Sequence, residues 1–126
     1  DAERDWGFAG DYVRAMHLML TQETAVDYVI ATGIRHSIRE FVEAACEELD
    51  MPITWDGKGL DEVGVTTGGK VILTVDKNCY RPVETHILCG NSTKAQQELG
   101  WKPEIAFEDL VAMMVRSDLE ALHKHA

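Results

Sequence analysis

The sequence predicts a mixed α/β fold, with several helices and a few short strands that do not complete a sheet by themselves. Apolar residues recur at helical spacing in several separate segments, and short runs of β-branched residues are scattered between them. The regular alternation of strand and helix that builds a doubly wound parallel sheet is missing. A length of 126 residues suits a single domain.

Composition and charge exclude several classes of protein. Hydrophobic residues make up 45% and charged residues 27%, which is typical of a globular chain rather than a disordered one. The net charge of -10 argues against binding to nucleic acid or to an anionic membrane. No apolar run approaches the ~20 residues of a membrane span. We therefore expect neither nucleic acid nor a membrane among its partners.

The three cysteines form an odd set without zinc-site spacing, which disfavours a disulfide scaffold and a structural zinc site. Buried thiols in a reducing compartment are the expected alternative, so the predicted location is cytoplasmic. The sequence begins with Asp1 rather than Met. This start predicts a processed product, an excised segment or part of a longer protein.

The first predicted elements are a helix over residues 9–20 and a short buried strand over residues 27–31. The helix has apolar residues at i, i+3, i+4 and i+7, and the strand is rich in aromatic and β-branched residues before Thr32-Gly33. The residues expected on the buried face of the helix are Val13, Met16, His17 and Leu20.

A capping box predicts the start of the second helix. Ser37 can accept from the amide of Glu40, while the Glu40 carboxylate can reach back to the amide of Ser37. Apolar residues continue at helical spacing to Leu49, and Pro52 is expected to stop the helix.

The middle of the chain predicts two strands separated by a turn and a loop. Residues 53–55 and 71–75 are apolar and β-branched, which favours strands. Residues 56–59 contain two glycines and predict a turn, and the polar residues 61–70 predict a loop.

Two further helices are predicted near the end. Asn91 or Ser92 can cap a helix over residues 93–99, and Gly100 is suited to end it. The last helix is predicted over residues 107–123. Its expected apolar side carries Leu110, Met113, Met114 and Leu119.

Two motifs of dinucleotide-dependent oxidoreductases are missing. No Gly-x-Gly-x-x-Gly follows a predicted strand, so no dinucleotide cradle is expected. No Tyr-x-x-x-Lys occurs either, because Met16, Thr32 and Glu84 stand four positions after the three tyrosines. The five histidines include no pair that shares a carboxylate at ligand spacing. We expect no catalytic, cofactor-binding or metal-binding residue in this chain.

Three stretches, taken in order and spacing, resemble a known family. Residues 4–13 read RDWGFAGDYV, residues 27–42 contain DYVIATG followed by HSIREFV, and residues 80–103 contain YRPVE, TKA and LGWKP. Together they resemble the C-terminal part of the extended short-chain dehydrogenase/reductases that act on nucleotide sugars. The RDWG and YRPVE elements are most similar to the GDP-mannose 4,6-dehydratase family. The resemblance covers essentially the whole chain.

The resemblance implies that residues 1–126 form the C-terminal substrate-binding portion of a Rossmann-type enzyme. Its N-terminal half, absent from this chain, would bind NADP and carry the catalytic residues. The family converts GDP-mannose to GDP-4-keto-6-deoxymannose, the precursor of GDP-fucose and GDP-rhamnose. The resemblance also implies that the intact enzyme is a homo-oligomer, a dimer or a tetramer. The segment alone is expected to be inactive and to bind no cofactor.

The resemblance also assigns three substrate-binding residues. Arg4 and Arg81 match family arginines that grip the diphosphate and the neighbouring ribose, and Glu84 matches a glutamate that accepts from nucleotide donors. Arginine suits this ligand, because its planar fork can hold two phosphate oxygens at once. Trp6 offers a face for stacking on guanine, although packing in the core under the first helix is the preferred interpretation.

Two other functions stay open at this point. One is a related nucleotide-sugar epimerase or reductase of the same superfamily, which the catalytic residues of the other half would distinguish. A dehydratase needs a glutamate that takes the C5 proton. The other is a free-standing domain that binds a nucleotide sugar or a partner protein without catalysis.

Overall fold

The structure is a computed structural model that describes residues 2–79 and 89–125. It combines four α-helices with two small antiparallel sheets in this range, which confirms the mixed α/β class. The elements in chain order are β1 Glu3–Arg4, α1 Ala9–Leu20, β2 His36–Ser37, α2 Ile38–Glu48, β3 Ile53–Asp56, a 3-10 turn at Gly59–Asp61, β4 Val63–Thr66, β5 Val71–Thr74, α3 Thr93–Leu99 and α4 Phe107–His125.

The helix boundaries predicted from local signals are confirmed. The Ser37 hydroxyl accepts from the Glu40 amide at 3.1 Å, and Glu40 Oε2 accepts from the Ser37 amide at 2.6 Å. Gly100 follows α3 with a φ of 64°, the left-handed conformation that glycine adopts without a Cβ clash. Ser92 directly precedes α3, but its side chain does not cap the helix. The Asn91 side chain instead accepts from the Thr93 amide at 3.0 Å.

β3, β4 and β5 form an antiparallel meander, so the predicted loop over residues 61–70 is wrong. β4 pairs with β3 on one side and with β5 on the other, with an irregularity between Gly64 and Val65. A Cβ at Gly64 would lie 3.0 Å from the Leu73 Cβ, so the glycine permits close approach of β5. The strand was missed because a buried glycine lowers its apparent β-propensity.

Residues 27–31 are not a strand in the structure, which corrects that prediction. The segment is irregular, and none of the described strands pairs with it. Tyr28 and Ile30 pack against the core, whereas Val29 is 54% exposed. β-branched composition marks a segment suited to a sheet, but a strand needs a hydrogen-bonded neighbour.

The main core lies between α1, α3 and the connector that follows α3. Ala15, Ala95, Leu99 and Trp101 form its buried cluster. This buries the side of α1 opposite to the predicted one, because the helix has apolar residues on both sides. The predicted-face residues Val13, Met16, His17 and Leu20 are all exposed.

The last helix also buries a different face from the predicted one. Phe107 and Val111 are buried one turn apart, while the expected core residues Met113, Met114 and Leu119 are exposed.

The prediction that the cysteine thiols are buried holds for Cys46 only, since Cys79 and Cys89 are exposed. Among the described residues, no helix has the length and apolar character needed to cross a membrane.

Candidate functional site

A cavity of about 310 Å³ lies where β1, the start of α1 and the 29–31 segment meet. Arg4 and Asp5 line it from the end of β1, and Tyr12 lines it from α1. Gly90 lines it from the described chain just after residues 80–88. The cavity therefore brings one of the three predicted substrate-binding residues, Arg4, next to a distant part of the chain.

Short-range pairing holds the backbone of Arg4 in place. Arg4 faces His36 across the two-residue ladder of β1 and β2, and the Ile38 amide donates to the Ala2 carbonyl at 3.0 Å. The Arg4 Nη1 donates to the Glu3 carbonyl at 2.7 Å, and the side chain is exposed. β1 thus fixes the backbone of Arg4, and the exposed residue lines the cavity.

Asp5 is the best-connected acid of this site. Its Oδ1 accepts from the Thr32 amide at 3.0 Å and from the Thr32 hydroxyl at 2.5 Å. Its Oδ2 accepts from the amides of Gly33 at 3.0 Å and Gly90 at 3.3 Å. Partial burial raises the pKa of Asp5, but the hydrogen bonds from Thr32, Gly33 and Gly90 outweigh it and leave the pKa below its usual value.

Gly90 sits against Ala31 in a space that no side chain can share. A Cβ at Gly90 would overlap the Cβ of Ala31, and the site of a Cβ at Gly33 lies 3.7 Å from the Gly90 carbonyl oxygen. Ala31 is buried, so it has little room to move aside. The chain is therefore held tightly to the 31–33 turn at this point.

The other two predicted substrate-binding residues, Arg81 and Glu84, lie outside the described residues. Along the sequence they precede Gly90 by nine and six positions. Their part in the site stays a prediction.

Trp6 packs beneath α2. Its ring centroid lies 5.1 Å from that of Phe41, and its Nε1 donates to the His36 carbonyl at 3.4 Å. His36 in turn stacks on Phe107 with the ring centroids 3.8 Å apart. Trp6 is thus a packing residue, as preferred from the sequence, although it lies under the second helix rather than the first.

The described part of the site offers hydrogen bonding and charge rather than acid–base chemistry. Tyr12 lines the cavity, and burial together with the charges of Asp5 and Asp11 raises its pKa, so the phenol stays neutral at neutral pH. No three His, Cys, Asp or Glu side chains within residues 2–79 and 89–125 are grouped to hold a metal ion.

Sequence reasoning singled out Arg4 but missed Asp5 and Thr32. The two residues stand in motifs that the resemblance used, RDWG and ATG, so their proximity to each other was the missing observation. The hydrogen-bond partners of the Asp5 carboxylate lie 27 to 85 residues away, so no short-range pattern in the sequence identifies them.

Comparison with known proteins gives consistent results. A family model described as GDP-mannose 4,6 dehydratase matches residues 1–114. The chain is 50% identical, over 99% of its length, to a GDP-mannose 4,6 dehydratase of Drosophila melanogaster, and covers 32% of that protein. For the human protein of that name the identity is 51% over 97% of the chain, covering 33%. For that of Vibrio cholerae it is 42% over the whole chain, covering 37%. The chain thus spans about a third of the length of these curated relatives.

Proposed function

The chain belongs to the GDP-mannose 4,6-dehydratase family, and on that premise we propose that it is the C-terminal, substrate-binding part of such an enzyme. The intact enzyme converts GDP-mannose to GDP-4-keto-6-deoxymannose. One observation carries the proposal. In a chain of this family, Arg4 shares a cavity with Gly90, which follows Arg81 and Glu84 in the sequence by nine and six positions.

The charge of the ligand explains why this placement matters. A GDP-sugar carries a diphosphate of about two negative charges, and the chain itself has a net charge of -10. Overall electrostatics therefore repel the ligand, so binding depends on cations held at defined positions. A guanidinium fixed beside a strand end can offer a pair of parallel hydrogen bonds to phosphate oxygens.

Arg81 and Glu84 complete this proposed site. Arg4 and Arg81 each contact the diphosphate or the neighbouring ribose, while Glu84 accepts from hydroxyl or base donors of the nucleotide. Two forked cations can share one diphosphate. An acid three positions after Arg81 is suited to the donor-rich nucleoside end.

NADP is the cofactor of the proposed lyase, and the described residues do not fit it. The described glycines with positive φ are Gly33, Gly57, Gly59, Gly69 and Gly100. None of them opens an α-helix, and a dinucleotide cradle is built at the start of an α-helix that follows a strand. We assign NADP binding and the catalytic residues to the part of the enzyme outside this chain. We also propose that the intact enzyme is a cytoplasmic homo-oligomer, dimeric or tetrameric.

Calorimetric titration of the complete enzyme with GDP tests the proposal. Loss of one charge-assisted contact costs about 1.5–3 kcal/mol, so Arg4→Ala and Arg81→Ala should each weaken GDP and GDP-mannose binding by roughly ten- to a hundredfold. NADP affinity should stay nearly unchanged. Arg81→Lys should recover only part of the affinity, because an ammonium does not replace the fork.

Arg116→Ala is the matched control. Arg116 is an exposed arginine of α4 that pairs with Glu48 at 2.7 Å and does not line the cavity. Its loss should leave GDP affinity unchanged. Wild-type GDP affinity in both Arg4→Ala and Arg81→Ala would remove the basis of the proposed site.

A further inference from the structure

One side of α1 is both uncharged and exposed. Val13, Met16 and Leu20 are 62%, 59% and 85% exposed, and they share one side of the helix because they are three and four positions apart. His17 lies on the same side and is also exposed. These four residues are called the outer face of α1 below. The opposite side of the helix packs in the main core through Ala15.

The charged residues of α1 are turned away from the outer face. The helix contains two of them, Asp11 and Arg14. The Asp11 carboxylate accepts from the amides of Glu104 and Ile105. The Arg14 guanidinium donates to the Lys102 carbonyl at 2.7 Å and pairs with Glu104 at 2.8 Å. A helix that faces water normally carries charged residues on that side, so α1 has the composition of a helix that is covered on both sides.

The outer face begins beside the candidate substrate cavity. Tyr12 lines this cavity together with Arg4, and Met16 follows Tyr12 by four positions, one helical turn along α1. In the proposed enzyme, the catalytic residues belong to the part outside this chain. They reach the bound sugar only if that part adjoins the cavity. The surface next to the cavity is therefore the surface that this part has to approach.

We propose that the outer face of α1 is the surface on which the part of the enzyme outside this chain packs, through an apolar and uncharged patch of its own. The inference rests on the proposed function, since it concerns how the two parts meet. The chain covers 32%, 33% and 37% of the three curated relatives, so about two-thirds of each relative lies outside the matched segment. That length is ample to supply a layer against α1.

A second copy of this chain is the competing occupant of the outer face. Two copies paired through Val13, Met16 and Leu20 would fill the surface beside the cavity. The catalytic part would then have to approach the cavity from another side and leave α1 to the interface between copies. Covering the face within one polypeptide satisfies the apolar residues and the approach to the cavity together.

Peroxide oxidation of the complete wild-type enzyme measures whether the outer face is covered. Met16 on α1 and Met114 on α4 are 59% and 47% exposed in this chain, so Met114 is the matched control for access of peroxide. We expect Met16 to oxidise at least about tenfold more slowly in the native enzyme than in urea, and more slowly than Met114 in the native enzyme. Tandem mass spectrometry of the tryptic peptide over residues 15–35 distinguishes Met16 from Met19.

Photo-cross-linking of the complete enzyme identifies what covers the outer face. Leu20, the last residue of α1, is replaced by the photoreactive residue p-benzoylphenylalanine. The expected product has the mass of one polypeptide and joins residue 20 to a peptide from outside this chain's sequence. The same replacement at Val71 on β5, which is 49% exposed, is the control and should not give that product. The oxidation of wild-type enzyme carries the test if the Leu20 variant does not fold.

The outcomes are distinct. Oxidation of Met16 in the native enzyme within about twofold of its rate in urea would overturn the proposal. A cross-link that joins residue 20 to a second polypeptide would overturn it as well and assign the face to a second copy. Either result, with GDP binding that still depends on Arg4, would leave the proposed function intact. Absence of GDP binding by the wild-type enzyme would instead refute the proposed function, whatever the oxidation rate of Met16.

Discussion

Replacing Asp11 by alanine should loosen the connector that follows Trp101. Asp11 is 3% exposed, and its Oδ2 accepts from the amides of Glu104 at 2.8 Å and Ile105 at 3.1 Å. Its backbone carbonyl accepts from Trp101 Nε1 at 2.7 Å. The carboxylate thus fastens the connector to the first turn of α1, and an alanine there leaves two amides without their acceptor.

The expected magnitude follows from these two contacts. A hydrogen bond to a charged acceptor contributes about 1.5 kcal/mol at the lower end of its usual range, so the pair contributes about 3 kcal/mol. The ion pair with Arg14 at 3.3 Å adds little, since that side chain is 36% exposed. A loss of about 3 kcal/mol corresponds to roughly hundredfold faster hydrogen exchange at the two amides.

Hydrogen exchange of the complete enzyme, followed by mass spectrometry on peptides that cover residues 102–106, measures this effect. Asp11→Asn should lie between wild type and Asp11→Ala, because one neutral acceptor is kept. Asp109→Ala is the matched control, since Asp109 is the third residue of α4 just as Asp11 is the third of α1, but is exposed. Wild-type exchange in Asp11→Ala, or equal effects of the two alanine variants, would refute the reasoning.

Two further predictions concern stability at low pH and self-association of the isolated chain. Hydrogen bonds hold the pKa of Asp5 below its usual 3.8, so its stabilising contribution is complete above that pH and is lost as the pH falls through the lowered pKa. The difference in unfolding free energy between wild type and Asp5→Asn should therefore be constant above about pH 5 and shrink as the pH falls from there to about pH 2. Urea titration measures it, and a difference that stays constant over the whole range would contradict this. The isolated 126-residue chain should self-associate through Val13, Met16 and Leu20 of α1, which are 62%, 59% and 85% exposed. Sedimentation should show less association for Val13→Lys but not for Val71→Lys on β5, and a wild-type monomer that melts cooperatively at micromolar concentration would count against the prediction.

The features that could be predicted from the sequence depend on residues close together along the chain. The capping box of Ser37 and Glu40 involves positions three apart, and Gly100 ends α3 through its own backbone conformation. For the same reason the bounds of α1 were predicted correctly. Such signals need no knowledge of what packs against the element.

The features that were missed depend on partners elsewhere in the fold. Both sides of α1 are apolar, so periodicity alone does not determine which side meets α3. β4 contains a glycine whose purpose is evident only from the approach of Leu73. Arg4 was found because a motif contains it, whereas the hydrogen bonds of Asp5 depend on the positions of Thr32 and Gly90 in the fold.

The two-residue ladder between β1 and β2 constrains how this region can vary. Ser37 pairs with Glu3 in that ladder and also caps α2 through its hydroxyl. A replacement at this position must satisfy a strand and a helix start together, and both adjoin the backbone of Arg4. A substitution at residue 37 that changes the stability of α2 should therefore also change the position of the Arg4 backbone. Homologues that change the residue at 37 should carry compensating changes at positions 3 or 40 more often than unlinked sites would.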